Sequence, residues 1–160
     1  MDFTPPLSFR MNNSNYIISI DEVKDKKMLF SYLMKFYAPF EVILSVWGKV
    51  PKANLRKLSE FKISGSRIRH IVFGEFNLKL DKQSLSVISE NLCCDSILSQ
   101  ITWGLYKDDM SLALLKDWDD LRVDSSKLIN DDKLMSFINE LKSKEFIGFY
   151  KIIKDGSSPI

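Results

Sequence analysis

One histidine, two cysteines, six glycines and five prolines in 160 residues leave little of the chemistry that marks most enzyme sites. A Ser-His-Asp triad, a Cys-His pair or a histidine-ligated metal would all have to be built on His70 alone, with no partner identifiable beside it. The cysteines, Cys93 and Cys94, are adjacent, which matches neither the CxxC of a redox site nor the separated pairs of a zinc site. They are expected to close a helix, with one of them buried. No GxGxxG, GxSxG or HExxH pattern occurs. Ser64-Gly65-Ser66-Arg67 has too few glycines, and no following Lys-Ser/Thr pair, to cradle a phosphate, so it reads as a turn. No cofactor and no metal are expected. No run approaches the ~20 apolar residues of a membrane span. The opening Met1-Asp2-Phe3-Thr4-Pro5-Pro6 lacks a basic-then-apolar leader pattern, so no membrane partner and a cytoplasmic location are expected.

What is present is an ordinary folding composition, 45% apolar and 28% charged with a formal net charge of +2. A chain of this length buries enough surface to form one core without staples. Residues 1–14 read as a partly ordered arm, 15–153 as a single domain and 154–160 as a flexible tail.

Periodicity supplies the elements. Tyr16 to Ile20 is a short β-branched strand, and Leu29, Tyr32, Leu33 and Phe36 keep helical spacing until Ala38-Pro39 ends the run. Phe40 to Trp47 is nearly all apolar, as in a strand covered on both faces. Pro51 opens a basic helical segment as far as Lys62. Ile68 to Phe73 reads as a strand, with Phe76, Leu78 and Leu80 as its continuation or hairpin partner. Asp81 is placed to cap a helix carrying Leu85, Ile88 and Leu92. Ile97 to Tyr106, Ser111 to Lys116 and Trp118 to Val123 then predict an antiparallel meander turning at Lys107-Asp108-Asp109. Asn130 or Asp131 starts an amphipathic helix through Leu134, Phe137, Ile138 and Leu141, and Phe146 to Ile153 gives a closing strand. Strand and helix alternate early and hairpins follow, so the predicted class is α+β (mixed α/β), with about four helices packed on one sheet.

Charge is distributed unevenly. Asp108, Asp109, Asp117, Asp119, Asp120 and Asp124 crowd one region around Trp118, and Asp131-Asp132 follows. The spacing does not meet a calcium loop. An exposed tryptophan ringed by carboxylates has the composition of a patch that grips a basic protein. Lys49, Lys52, Arg56, Lys57, Lys62, Arg67 and Arg69 outnumber Glu60 and Glu75 in the middle of the chain.

The expected function is that of a non-catalytic binding protein, a small bacterial immunity or antitoxin-type inhibitor. Asp108, Asp109, Asp117, Asp119, Asp120 and Asp124 would steer a basic toxin domain, such as a nuclease, onto Trp118. The alternative is a nucleic-acid-binding accessory domain gripping phosphates through Lys52, Arg56, Lys57, Arg67 and Arg69. An enzyme whose site is assembled from scattered loops is a further alternative.

Overall fold

The computed structural model describes residues 16–63, 76–108, 110–116 and 119–154. Seven strands form one sheet: β1 (Tyr16–Ile20), β2 (Val42–Gly48), β3 (Phe76–Leu80), β4 (Ile101–Lys107), β5 (Met110–Leu115), β6 (Leu121–Asp124) and β7 (Tyr150–Lys154). Their order is β3-β2-β4-β5-β6-β1-β7, and every neighbouring pair is antiparallel. Among the described residues five α-helices accompany them: α1 (Lys26–Tyr37), α2 (Lys52–Leu58), α3 (Leu85–Leu92), α4 (Asp95–Leu98) and α5 (Asp131–Ser143). The α+β class and the β4-β5-β6 meander agree with the sequence reading.

Alternation fixes which side chains face the helices. The register aligns Leu78, Leu44, Leu105, Ala113, Val123 and Ile18 across six strands, and all of them are buried. Phe30 of α1 meets the edge of Trp103 at 5.4 Å on this face. Phe137 of α5 stacks on Phe36 of α1 at 4.0 Å, and Asn54 of α2 donates to Asn91 of α3. Burial of each large aliphatic side chain here contributes about 1.5–3 kcal/mol. A bulge adapts β5 to the layer: Leu105 faces Ala113 but Tyr106 faces Ser111, so Leu112 is the extra residue. The local kink lets consecutive Leu112 and Ala113 both be buried, which a regular strand with one covered face would not allow.

The sheet's second face is mixed. Ser45, Asn77, Gly104, Leu114, Arg122 and Ser19 share one row of it. The Ser45 hydroxyl donates to Asn77 Oδ1 at 2.6 Å, and both residues are buried. Ile43 and Trp47 are half-buried here, so β2 is fully covered on its helix side alone.

Capping chemistry sets several boundaries. Asp25 accepts from Met28 N at 3.0 Å to start α1, and Asn130 accepts from Asp132 N at 2.8 Å to start α5. Four boundaries depart from the sequence reading. Asp81 accepts from Gln83 N and Ser84 N, both at 2.9 Å, and so closes a turn; Ser84 holds the cap position of α3. Helix α2, with Pro51 at its N-cap position, ends at Leu58, short of the expected Lys62. Ile97 belongs to the short helix α4, so β4 begins only at Ile101. Strand β7 begins at Tyr150 because Phe146 packs on Tyr32 and Ile147 bridges to Val23 instead. The arm, the turn at 64–67, the strand at 68–73 and the tail beyond 154 lie outside the described residues.

Candidate protein-binding site

The meander divides the acidic residues between two ends of the sheet. Asp108 occupies the β4–β5 turn, exposed and in the left-handed region at φ 52°. Asp119 and Asp120 belong to the β5–β6 turn, which Lys116 N closes by donating to Asp120 O at 2.8 Å. The six residues of β5 separate the two turns by about 20 Å. Asp124 ends β6 at the Asp108 end.

Asp124 is bound inward. Its side chain is 13% exposed and accepts from Arg122 Nε at 2.8 Å. Burial raises its pKa, and the Arg122 charge, the Arg122 hydrogen bond and the Ser111 hydrogen bond each oppose the rise. A carboxylate so placed is answered within the fold and adds little field outside it. At the same end Asp131 accepts from the Tyr16 hydroxyl at 3.3 Å, and burial together with that carboxylate pushes the Tyr16 pKa up to about 12.

At the opposite end the fold adds carboxylates that are distant in sequence. Ile20 faces Leu121 in an antiparallel pair, so the residue after Ile20, Asp21, comes beside the residue before Leu121, Asp120. Glu22 follows; its carbonyl accepts from Gly148 N at 2.9 Å and its side chain lies across Gly148, where an added Cβ would meet the carboxylate. Asp21, Glu22 and Asp119 are exposed and Asp120 is half-buried. None of the four is in an ion pair among the described residues; Lys24 and Lys116 flank them. Asp119 and Asp120 are therefore brought together with Asp21 and Glu22, while Asp108 and Asp124 stand apart. Asp109, Asp117 and Trp118 lie outside the described residues.

The basic candidates Lys52, Arg56 and Lys57 are exposed on α2, Lys52 and Arg56 one helical turn apart. Arg67 and Arg69 lie outside the described residues. Among the described residues no ion pair joins this segment to the acidic turns; the pairs Lys79–Asp81 at 3.6 Å and Arg122–Asp124 at 2.8 Å are both local.

Few features bear on catalysis. No cluster of three or more His, Cys, Asp or Glu able to hold a metal occurs among the described residues, and His70 lies outside them. A surface cavity of about 460 Å³, lined in part by Glu60, Lys62, Lys79 and Asp81, borders β3 at the other side of the sheet from the acidic end. The half-buried Cys93 thiol donates to Lys27 O at 3.3 Å, and burial raises its pKa. Cys94, also half-buried, has its pKa lowered by hydrogen bonds from Ser96 and Ile97. No helix among the described residues is long and apolar enough to cross a membrane. Comparisons with protein-family models, with curated proteins and with solved structures find no match to this chain.

Proposed function

We propose that this protein is a non-catalytic inhibitor of the immunity or antitoxin type, which neutralises a basic toxin domain through its acidic surface. The observation that carries the reading is the gathering of Asp21, Glu22, Asp119 and Asp120 at one end of the sheet, with no ion pair among the described residues to neutralise them. Carboxylates held on turns at strand ends keep a fixed geometry, so they present a standing negative field to an approaching basic surface. Such a field speeds encounter, and for a nuclease it imitates the phosphates of the substrate. Asp117 and Trp118, adjacent in sequence to Asp119, extend the proposed contact.

The test is capture from a bacterial lysate at about physiological ionic strength, where screening acts beyond ~8 Å. The triple variant Asp21→Asn/Asp119→Asn/Asp120→Asn runs beside it, with its fold checked by circular dichroism. A stoichiometric basic protein is expected, lost in the variant and inhibited by the purified wild-type protein in an assay of its own activity. Recovery of nuclease-sensitive RNA or DNA would overturn the reading. If that binding were lost in Lys52→Ala/Arg56→Ala/Lys57→Ala and weakened steeply with salt, α2 would be the functional surface.

A further inference from the structure

The two edges of the sheet are finished differently. At the β3 edge, Ile63 N donates to Asn77 O at 2.8 Å and Lys62 bridges to Leu78, so the chain itself covers part of the strand. At the other edge β7 pairs with β1 on one side, and among the described residues no strand pairs with its other side. Alternate residues of β7 therefore aim N–H and C=O groups outward, a template for an added strand. Its side chains are unusually apolar for such a position: Ile152 is 45% and Ile153 42% exposed, and Phe149, just before the strand, is 81% exposed beneath Lys142 Nζ at 4.8 Å.

The charge pattern selects the occupant. Residues 151–154 read Lys-Ile-Ile-Lys, a palindrome whose first carboxylate neighbour in sequence is Asp155, just beyond the strand. A second copy adding antiparallel, with Ile152 opposite Ile153, would set Lys151 against Lys154 twice, and like charges directly opposite are destabilising. Slipping by one residue removes that clash but sets Lys151 against Ile153. A segment with two adjacent aliphatic residues flanked by carboxylates satisfies both ends in either direction. Lys142, exposed near the end of α5 with its Nζ over the rings of Phe149 and Tyr150 at 4.8 and 5.8 Å, adds to the positive charge at the start of the strand.

We propose that the outer edge of β7, unpaired among the described residues, is a docking site for an extended acidic-aliphatic segment of a partner protein, which adds as a further strand. The edge adjoins the acidic end, where Asp21 and Glu22 of the β1 side run opposite Phe149 and Gly148, but its recognition rests on Lys151 and Lys154 and does not depend on the inhibitor reading.

The test uses two labelled synthetic peptides, one centred on Glu-Val-Val-Glu and one on Lys-Val-Val-Lys, titrated against the full chain by fluorescence anisotropy. Amide exchange is followed in parallel. The acidic peptide is expected to bind about tenfold or more tighter than the basic one and to slow exchange across 150–154. Lys151→Glu/Lys154→Glu should invert the preference. Equal affinity for the two peptides would overturn the proposal, as would binding without protection of β7. So would a concentration-dependent dimer of the protein alone that protects β7, since the edge would then belong to a second copy.

Discussion

Replacing Tyr37 with phenylalanine is expected to stabilise the protein. Tyr37 ends α1 with its side chain fully buried, and its hydroxyl is the buried side-chain polar atom left without a hydrogen-bond partner among the described residues. Folding strips water from that hydroxyl and returns no partner among the described residues, a penalty of about 1–3 kcal/mol. The Tyr37→Phe variant would avoid it, while leaving a void the size of one oxygen and losing the few dispersion contacts that oxygen makes, each about 0.1–0.2 kcal/mol. The net gain is about 1 kcal/mol. At a urea slope of about 2 kcal/mol/M this moves the midpoint upward by about 0.5 M, with a rise of about 2–4 °C in Tm. Tyr16→Phe is the control of opposite sign, because that hydroxyl donates to Asp131, and its loss should cost about 0.5–1.5 kcal/mol. Alkali supplies a second readout. Burial raises the Tyr37 pKa, so as pH climbs past about 10 the unfolded chain releases a proton that the native state retains. Native stability falls with rising pH there, and Tyr37→Phe should flatten the slope. A loss of about 1 kcal/mol or more in Tyr37→Phe at neutral pH would refute the reasoning, since it would mean that the hydroxyl is satisfied in the folded protein.

Asp124 sets an acid-side dependence. Its raised pKa means that the native state holds the proton above the ordinary value of 3.8, so this group's contribution is greatest at low pH and is lost as pH rises through the folded value. The difference in urea midpoint between the wild type and Asp124→Asn, followed across the acid range, should show that decline. Ser45→Ala strands the buried side-chain oxygen Oδ1 of Asn77 and should cost about 1–3 kcal/mol by equilibrium unfolding. Gly48→Ala should be worse than an ordinary strand glycine substitution: φ there is 119°, and a Cβ would run into the Gln100 carbonyl oxygen. A loss above about 2 kcal/mol is expected, read as a drop in Tm.

Elements with a local signature were legible in the sequence. The spacing of Leu29, Leu33 and Phe36, and the Asn130 cap before Leu134, specified α1 and α5 from short-range chemistry alone. Where two signals competed, the reading slipped. Ile97 and Ile101 fit an alternating strand, but a helix as short as α4 has too few residues to show a period of its own. Phe146 and Ile147 carry a strand's composition but are used against Tyr32 and Val23. The acidic end was half-legible: Asp119 and Asp120 stand out as a run, whereas Asp21 and Glu22 join them only through the pairing of β1 with β6. Nothing within either segment encodes that register. The inward turn of Asp124 was hidden for the same reason, since a strand's alternation reveals two faces without saying which neighbour fills them.

The place of β1 in the sheet also has a kinetic consequence. Tyr16–Ile20 leaves the ribosome before the other six strands, yet its neighbours are Leu121–Asp124 and Tyr150–Lys154. Until residue 124 has been made, this β-branched segment has no sheet partner, and its second partner arrives only with residue 154. Pairings so distant along the chain must close large loops before they gain any contact energy. During that interval the segment is an unpaired apolar strand, open to wrong partners. The β3-β2-β4-β5 half of the sheet can assemble as its own strands emerge, whereas the half that carries the acidic end cannot begin until β6 has been synthesised and is completed only by β7.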